Sequence, residues 1–146
     1  MRGMRHLGCA FCLLVAGTTA SWNASPHPPE GAVQAEGILT VSQLKALIDG
    51  GGHIYIYDVN DRQSYTETGH VPGARWLPFD FKSKSDLPRS KGAKLIFYCH
   101  NPICGASHLA ADRALALGYR NVWRMPAGIT GWMSAGLPVV KGPNPR

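Results

Sequence analysis

Cys99 and Cys104 stand five positions apart in a short polar segment, and a cysteine thiolate is a strong nucleophile. An apolar run of strand type, residues 95–98, leads into Cys99, and a helical pattern starts at residue 107. Backbone N–H groups of such a loop and the positive end of the next helix would favour a thiolate, an anionic persulfide or a bound oxyanion. Cys99 is therefore the candidate catalytic residue. The candidate substrate-binding loop is His100, Asn101, Pro102, Ile103, Cys104 and Gly105.

Cys104 has three possible roles. It could be a resolving thiol that attacks a persulfide or sulfenic acid on Cys99, a structural thiol packed under the loop, or a metal ligand. The metal alternative would use Cys99, His100, Cys104 and His108, which fall within ten residues. Closed zinc sites usually take ligands from two separated elements, so this cluster would crowd a single loop. We favour the resolving thiol and predict no metal site.

Five other side chains have both a chemical and a structural interpretation. His100 could stabilise the neighbouring thiolate as a cation, or could be a solvated loop residue. His70 lies in a turn and Asp58 closes a strand, and we interpret both as scaffold. Trp76 and Trp132 either pack in the core or line the pocket.

The 146 residues are enough for one domain with a substantial core, and their formal net charge is +6. The basic residues form no continuous block, so the surface suits small anions and argues against a nucleic-acid partner. The basic residues of the polar region are interpreted as a solvated patch. They are Lys82, Lys84, Arg89, Lys91 and Lys94.

The amino terminus has the pattern of a secretory signal peptide. Arg2 and Arg5 precede an apolar run over residues 7–17, and small residues lead to a predicted cleavage after Ala20. The run is short for a bilayer span, so we expect no stable membrane insertion after cleavage and a periplasmic or secreted location. Residues 21–36 are predicted to be a flexible leader, 37–142 the domain and 143–146 a tail. Cleavage would remove two of the four cysteines, and the remaining pair could form a disulfide in an oxidising compartment.

Alternating strand and helix patterns predict an α/β domain with a mostly parallel sheet. Predicted strands cover 53–58, 74–77, 94–98 and 121–125. Predicted helices cover 41–48, 61–68, 107–117 and 129–134, with at most one short helix in 80–92. A capping box starts the first helix at Thr40 and Gly118 caps the third. Sites in such sheets lie at the carboxyl ends of strands, where Cys99 and Asp58 are placed.

Three ordered blocks, together covering about residues 38–140, resemble the rhodanese-like (sulfurtransferase) domain family. They are Asp58-Val59-Asn60 with Gly69-His70-Val71-Pro72-Gly73-Ala74, the strand–Cys99–loop–helix unit, and the segments 118–122, 127–132 and 135–139. The resemblance implies a five-stranded, mostly parallel sheet flanked by helices and no organic cofactor. It implies a sulfurtransferase in which Cys99 accepts a sulfane sulfur from a small anion, thiosulfate or polysulfide. A thiol or cyanide would then accept this sulfur from the persulfide.

The loop both follows and departs from the family pattern. From Cys99 to Cys104 it has six residues, as in sulfurtransferases, whereas the related phosphatase loops are one residue longer and end in arginine where Gly105 stands here. Pro102 replaces a usual glycine and removes one N–H, and Cys104 replaces a usual arginine or threonine. Asn60 replaces the arginine of the first block. Two alternatives remain: a non-enzymatic rhodanese-fold module that binds a metal or a partner, and a thiol–disulfide protein using both cysteines.

Overall fold

The computed structural model describes residues 35–143, in which strands and helices alternate. The strands are β1 (Gly37–Ile38), β2 (Ile54–Asp58), β3 (Arg75–Trp76), β4 (Lys94–Tyr98) and β5 (Val122–Arg124). The helices are α1 (Val41–Asp49), α2 (Arg62–Glu67), α3 (Ala106–Ala116) and α4 (Gly128–Ser134), and a short 3₁₀ helix covers Lys84–Asp86. The predicted signal peptide, nearly all of the predicted leader and most of the tail lie outside the described residues. Within residues 35–143, no helix is long and apolar enough to cross a bilayer.

The five strands form one parallel sheet in the order β1-β5-β4-β2-β3. The central strand β4 lies between β2 and β5, and Tyr98 at its end is in register with Asp58 at the end of β2. Because all strands run in one direction, their carboxyl ends share one edge of the sheet. The segment that follows β4 therefore starts in the middle of that edge.

Successive β4 side chains point to opposite faces, so the strand contributes to two cores. Phe97 and Cys99 belong to the core beneath α3, with Ala110 and Ala114 of that helix. Ile96 and Tyr98 belong to the other core, which includes Trp132 of α4. Both faces of β4 are covered, which explains its continuous apolar sequence.

The fold class predicted from the sequence is confirmed, and local signals place most elements within one or two residues. The Thr40–Gln43 capping box starts α1, and Gly118 follows α3 with a φ of 88°. Strand β1 was not predicted, because two residues are too few to show a period. The fifth strand was implied by the family resemblance and not by any local pattern.

Candidate active site

The backbone at Cys99 is held by the first turn of α4. The Ile129 N–H donates to the Cys99 carbonyl at 2.9 Å, and the N–H and hydroxyl of Thr130 both donate to the His100 carbonyl at 3.0 Å. Gly128 allows this approach, since its φ is +63° and a Cβ there would lie 2.5 Å from the His100 backbone. The Cys99 side chain is 1% exposed. The candidate nucleophile is thus buried, and its backbone and that of His100 are hydrogen-bonded to α4.

The loop beyond His100 is organised by the side chain of Asn101. Its Oδ1 accepts the backbone N–H groups of Ile103 and Cys104, each at 3.1 Å, and the Cys104 N–H also lies 3.1 Å from the Asn101 carbonyl. Ile103 projects at the apex and is 93% exposed. Gly105 directly precedes α3, and no side chain in the described part of the chain caps the first turn of that helix. The loop therefore ends next to the first backbone N–H groups of α3, which have no capping side chain among the described residues.

Cys99 and Cys104 form a disulfide in the structure, with their Cα atoms 6.4 Å apart. The Cys104 carbonyl oxygen lies 3.2 Å from the Cys99 sulfur. The predicted pair is therefore brought together within one loop. The catalytic role of Cys99 and the resolving role of Cys104 stay predictions.

The side chains of the metal alternative are not assembled in this structure. Both sulfurs are in the disulfide, His100 is exposed, and the His108 side chain contacts two carboxylates. His108 Nδ1 lies 3.0 Å from Glu36 Oε1 and its Nε2 lies 3.5 Å from Asp112. Over residues 35–143, no three His, Cys, Asp or Glu side chains come together as a potential metal site.

Glu36 is a contact that sequence reasoning missed, because the residue was assigned to the flexible leader. Its Oε1 also accepts from Arg124 Nε at 2.9 Å, so one carboxylate joins the end of β5 to the first turns of α3. Its side chain is mostly buried. Nothing in the local sequence marks Glu36, since its two partners are 72 and 88 positions away.

Asp58 is fully buried at the end of β2, and no cation within residues 35–143 forms an ion pair with it. Its Oδ1 accepts the Asn60 N–H at 2.9 Å, while Oδ2 has no hydrogen-bond donor in the described part of the chain. Burial raises the pKa of Asp58 to about 6, and the Asn60 hydrogen bond and the proximity of the Tyr98 hydroxyl offset only part of this. The arginine usual two positions later in the family is Asn60 here, so the carboxylate lacks an ionic partner.

We expect Asp58→Asn to stabilise the protein at neutral pH. The folded state binds the Asp58 proton more tightly than the unfolded state, so stability is lost as pH rises from about 4 to about 6. The neutral amide still accepts the Asn60 N–H and removes the buried charge. Urea unfolding should give about 1–3 kcal/mol more stability at pH 7.5 and little difference at pH 4.

Asp61→Asn is the matched control for this experiment. Asp61 is exposed at the N-terminus of α2, where its hydrogen bonds with Ser64 lower its pKa. Its contribution has the opposite sign: it is present above the unfolded pKa and lost as pH falls. The control should therefore lose stability at pH 7.5. A loss at pH 7.5 in Asp58→Asn as well would mean that the buried carboxylate is stabilising.

His70 lies in a buried structural cluster, in agreement with its interpretation as scaffold. Its ring stacks on Tyr65 with 3.8 Å between centroids, its Nε2 lies 3.0 Å from the Tyr65 hydroxyl, and its Nδ1 lies 3.2 Å from the Tyr65 carbonyl. Burial lowers the pKa of His70, which favours the neutral ring. The His70 backbone forms an antiparallel bridge with Val140, which connects this cluster to the segment after α4.

The two tryptophans have different environments. Trp132 is buried in the core and donates from Nε1 to the Pro138 carbonyl at 2.8 Å. Trp76 ends β3 at the carboxyl edge of the sheet, where its Nε1 donates to the Asn60 carbonyl at 2.9 Å. The Arg62 guanidinium lies 5.0 Å from the Trp76 ring centroid. Sequence reasoning missed this Arg62–Trp76 pair, because only the sheet order brings α2 and β3 together.

The basic patch is solvated only in part. Lys91 Nζ lies 3.7 Å from the Tyr119 ring centroid, and Lys94 Nζ lies 5.1 Å from that of Trp123. Both side chains are half-buried, whereas Lys82, Lys84 and Arg89 are exposed. Cation–π contacts thus use two of the charges to cover aromatic surface.

The family model for the rhodanese-like domain matches residues 40–135, from the first helix to the end of α4. The chain belongs to the rhodanese-like domain family. This agrees with the resemblance in the sequence blocks and with the parallel sheet order. Rhodanese-like domains include sulfurtransferases, so the buried cysteine at the end of β4 lies in a family with known sulfur chemistry.

Individual relatives are distant. The chain is 28% identical to the BH2092 protein from Bacillus halodurans, whose crystal structure matches with a TM-score of 0.66 over 73% of this chain and 77% of that one. A thiosulfate sulfurtransferase from Pseudomonas aeruginosa matches at 0.62 with 21% identity, over 73% of this chain and 20% of that one, and so shows the fold alone. An uncharacterized Synechocystis sp. protein is 29% identical over 75 residues, 51% of this chain. The match spans 41% of that relative's length.

Proposed function

We propose that this rhodanese-like domain is a sulfurtransferase that carries sulfane sulfur as a persulfide on Cys99. The observation that carries the proposal is the position of Cys99: buried at the end of the central strand, with its backbone bound by α4. A six-residue loop and the uncapped first turn of α3 follow it. A cysteine held in this position can form a covalent intermediate, and the N–H groups at the start of α3 are the donors that could stabilise its charge.

The reaction takes two displacements. The Cys99 thiolate attacks the sulfane sulfur of the donor, and the donor's S–S bond breaks with its electron pair leaving on sulfite or on a shortened polysulfide. An acceptor, cyanide or a thiol, then attacks the outer sulfur of the persulfide, and Cys99 leaves as a thiolate. No organic cofactor is needed, because sulfur supplies both nucleophile and leaving group.

The loop favours polysulfide over thiosulfate as donor. Thiosulfate is a compact dianion that benefits from a guanidinium, and no arginine stands between residues 99 and 105. Pro102 offers no N–H, and the N–H groups of Ile103 and Cys104 are bonded to Asn101 in the disulfide form. A polysulfide has no oxygen atoms to bind and therefore depends less on such donors. We place this chemistry in the periplasm or outside the cell, in line with the signal-peptide prediction.

Mass spectrometry of the reduced protein tests the proposal. After incubation with polysulfide, and separately with thiosulfate, the Cys99 peptide should gain one sulfur that cyanide removes as thiocyanate. Cys99→Ser should gain none under the same conditions, whereas Cys104→Ser should still gain one. Absence of added sulfur in Cys104→Ser with both donors would overturn the proposal.

A thiol–disulfide function is the second candidate, favoured by the Cys99–Cys104 disulfide. The same experiment separates the two. Loss of two hydrogens in the wild type, with no sulfur added at any time to either the wild type or Cys104→Ser, would identify electron transfer in place of sulfur transfer.

A further inference from the structure

Cys104 lies where it can react with the inner sulfur of a persulfide on Cys99. In the structure its sulfur is bonded to Cys99 Sγ, the atom that would carry the transferred sulfur. Only a loop segment separates the two residues, and both loop ends are held by secondary structure: α4 at Cys99 and His100, and α3 from Ala106. The disulfide is therefore compatible with both anchored ends of the loop.

The disulfide form is poorly arranged to retain an outer sulfur anion. Of the six loop positions after Cys99, Pro102 has no N–H, and the N–H groups of Ile103 and Cys104 are bonded to Asn101 Oδ1. The Cys104 carbonyl oxygen lies 3.2 Å from the Cys99 sulfur, where it would repel an anion. In the disulfide form the Cys99 sulfur thus has a carbonyl acceptor beside it, and the N–H groups of Ile103 and Cys104 are engaged by Asn101.

We propose that Cys104 expels the transferred sulfur as hydrosulfide, which makes the protein a sulfane-sulfur reductase coupled to a dithiol donor. This rests on the proposed function, because it requires the Cys99 persulfide. The sulfide product would form inside the domain without cyanide or another sulfur acceptor. The identity of Cys104, where arginine or threonine is usual, then sets the reaction outcome.

The step balances without a further reagent. The Cys104 thiolate attacks Cys99 Sγ, a new Sγ–Sγ bond forms, and the bond between Cys99 Sγ and the outer sulfur breaks. The electron pair of that bond leaves with the outer sulfur, which departs as hydrosulfide with the persulfide proton. The two cysteines are oxidised by two electrons and the sulfane sulfur is reduced by two. Regeneration then requires a dithiol reductant, which reduces the Cys99–Cys104 disulfide by exchange.

The test loads the reduced protein with ³⁴S-labelled polysulfide, removes the excess by rapid desalting and follows a single turnover without added thiol. We expect release of labelled hydrosulfide, trapped with monobromobimane, in equal amount to an unlabelled Cys99–Cys104 disulfide. Cys104→Ser should keep the label on Cys99 and release hydrosulfide at least about tenfold more slowly than the wild type. Dithiothreitol should restore loading of the wild type for a second turnover.

The outcomes separate this proposal from the preceding one. A label on Cys99 that persists equally in the wild type and Cys104→Ser would overturn hydrosulfide expulsion and leave the sulfurtransferase proposal intact. A label found on Cys104 would mean attack at the outer sulfur, with Cys104 as carrier, and would also overturn it. Failure of both proteins to take up label would refute the persulfide itself.

Discussion

Cys99→Ser is expected to lower the rate of sulfur transfer from polysulfide to cyanide by about 1000-fold or more. A serine hydroxyl is not ionised near neutral pH and forms no stable bond to sulfane sulfur, so both displacements lose their nucleophile. The change replaces one atom in a buried position, and the fold should be kept. The measurement is thiocyanate formation with reduced protein, with near-ultraviolet circular dichroism to compare the folded states.

Cys104→Ser is the matched variant in the same loop. Cyanide attacks the outer sulfur and does not require Cys104, so this variant should retain cyanide-dependent transfer at no less than the wild-type rate, because it cannot divert the persulfide into a Cys99–Cys104 disulfide. Equal, large losses in both variants would contradict the assigned roles and point to a function of the cysteine pair, such as thiol–disulfide exchange.

Gly128→Ala is expected to have the largest effect on stability among the glycine substitutions. A Cβ at this position would lie 2.5 Å from the His100 carbonyl carbon and oxygen and 2.6 Å from the Cys99 oxygen, all backbone atoms that cannot rotate away. The φ of +63° adds about 1–2 kcal/mol of strain for a residue with a side chain. With the steric cost, we expect a loss of about 3–5 kcal/mol in the free energy of unfolding.

This variant also separates support of the loop from general stability. Where the protein stays folded, Gly128→Ala should displace the first turn of α4 from the Cys99 carbonyl and reduce persulfide formation. Gly52→Ala is the control, since a Cβ there meets nothing within 4 Å and the residue is remote from the loop in sequence. It should change stability by less than about 0.5 kcal/mol. Equal stability of the two variants, measured by urea unfolding, would contradict the close approach at Gly128.

Local sequence signals were sufficient to predict the elements whose formation depends on neighbouring residues. The apolar run of β4, the capping box at Thr40 and the glycine after α3 each act over a few residues, and each prediction is confirmed. Strand β1 was missed because its pairing with β5 is determined by a partner more than eighty positions away. The number of strands followed from the family resemblance, and the sheet order was not predicted, since no local pattern encodes it.

The candidate site divides in the same way. The position of Cys99 after β4 could be predicted from strand, loop and helix signals. The Asn101 hydrogen bonds and the contacts of α4 with the Cys99 and His100 carbonyls could not, because they depend on backbone directions in three dimensions. The complete burial of Asp58 without an ionic partner among the described residues was also not predicted, because its burial depends on the packing of both strands beside β2.

The grip of α4 on the Cys99 and His100 carbonyls has a consequence for recognition. With the backbone fixed on one side by α4 and on the other by α3, we expect the oxidised and reduced proteins to differ mainly over residues 101–104. A reductant that distinguishes the two forms must therefore contact this short segment. Ile103 lies at the apex of this segment and is 93% exposed. We expect a reductant to recognise the oxidation state of the buried Cys99 sulfur through contact with this side chain.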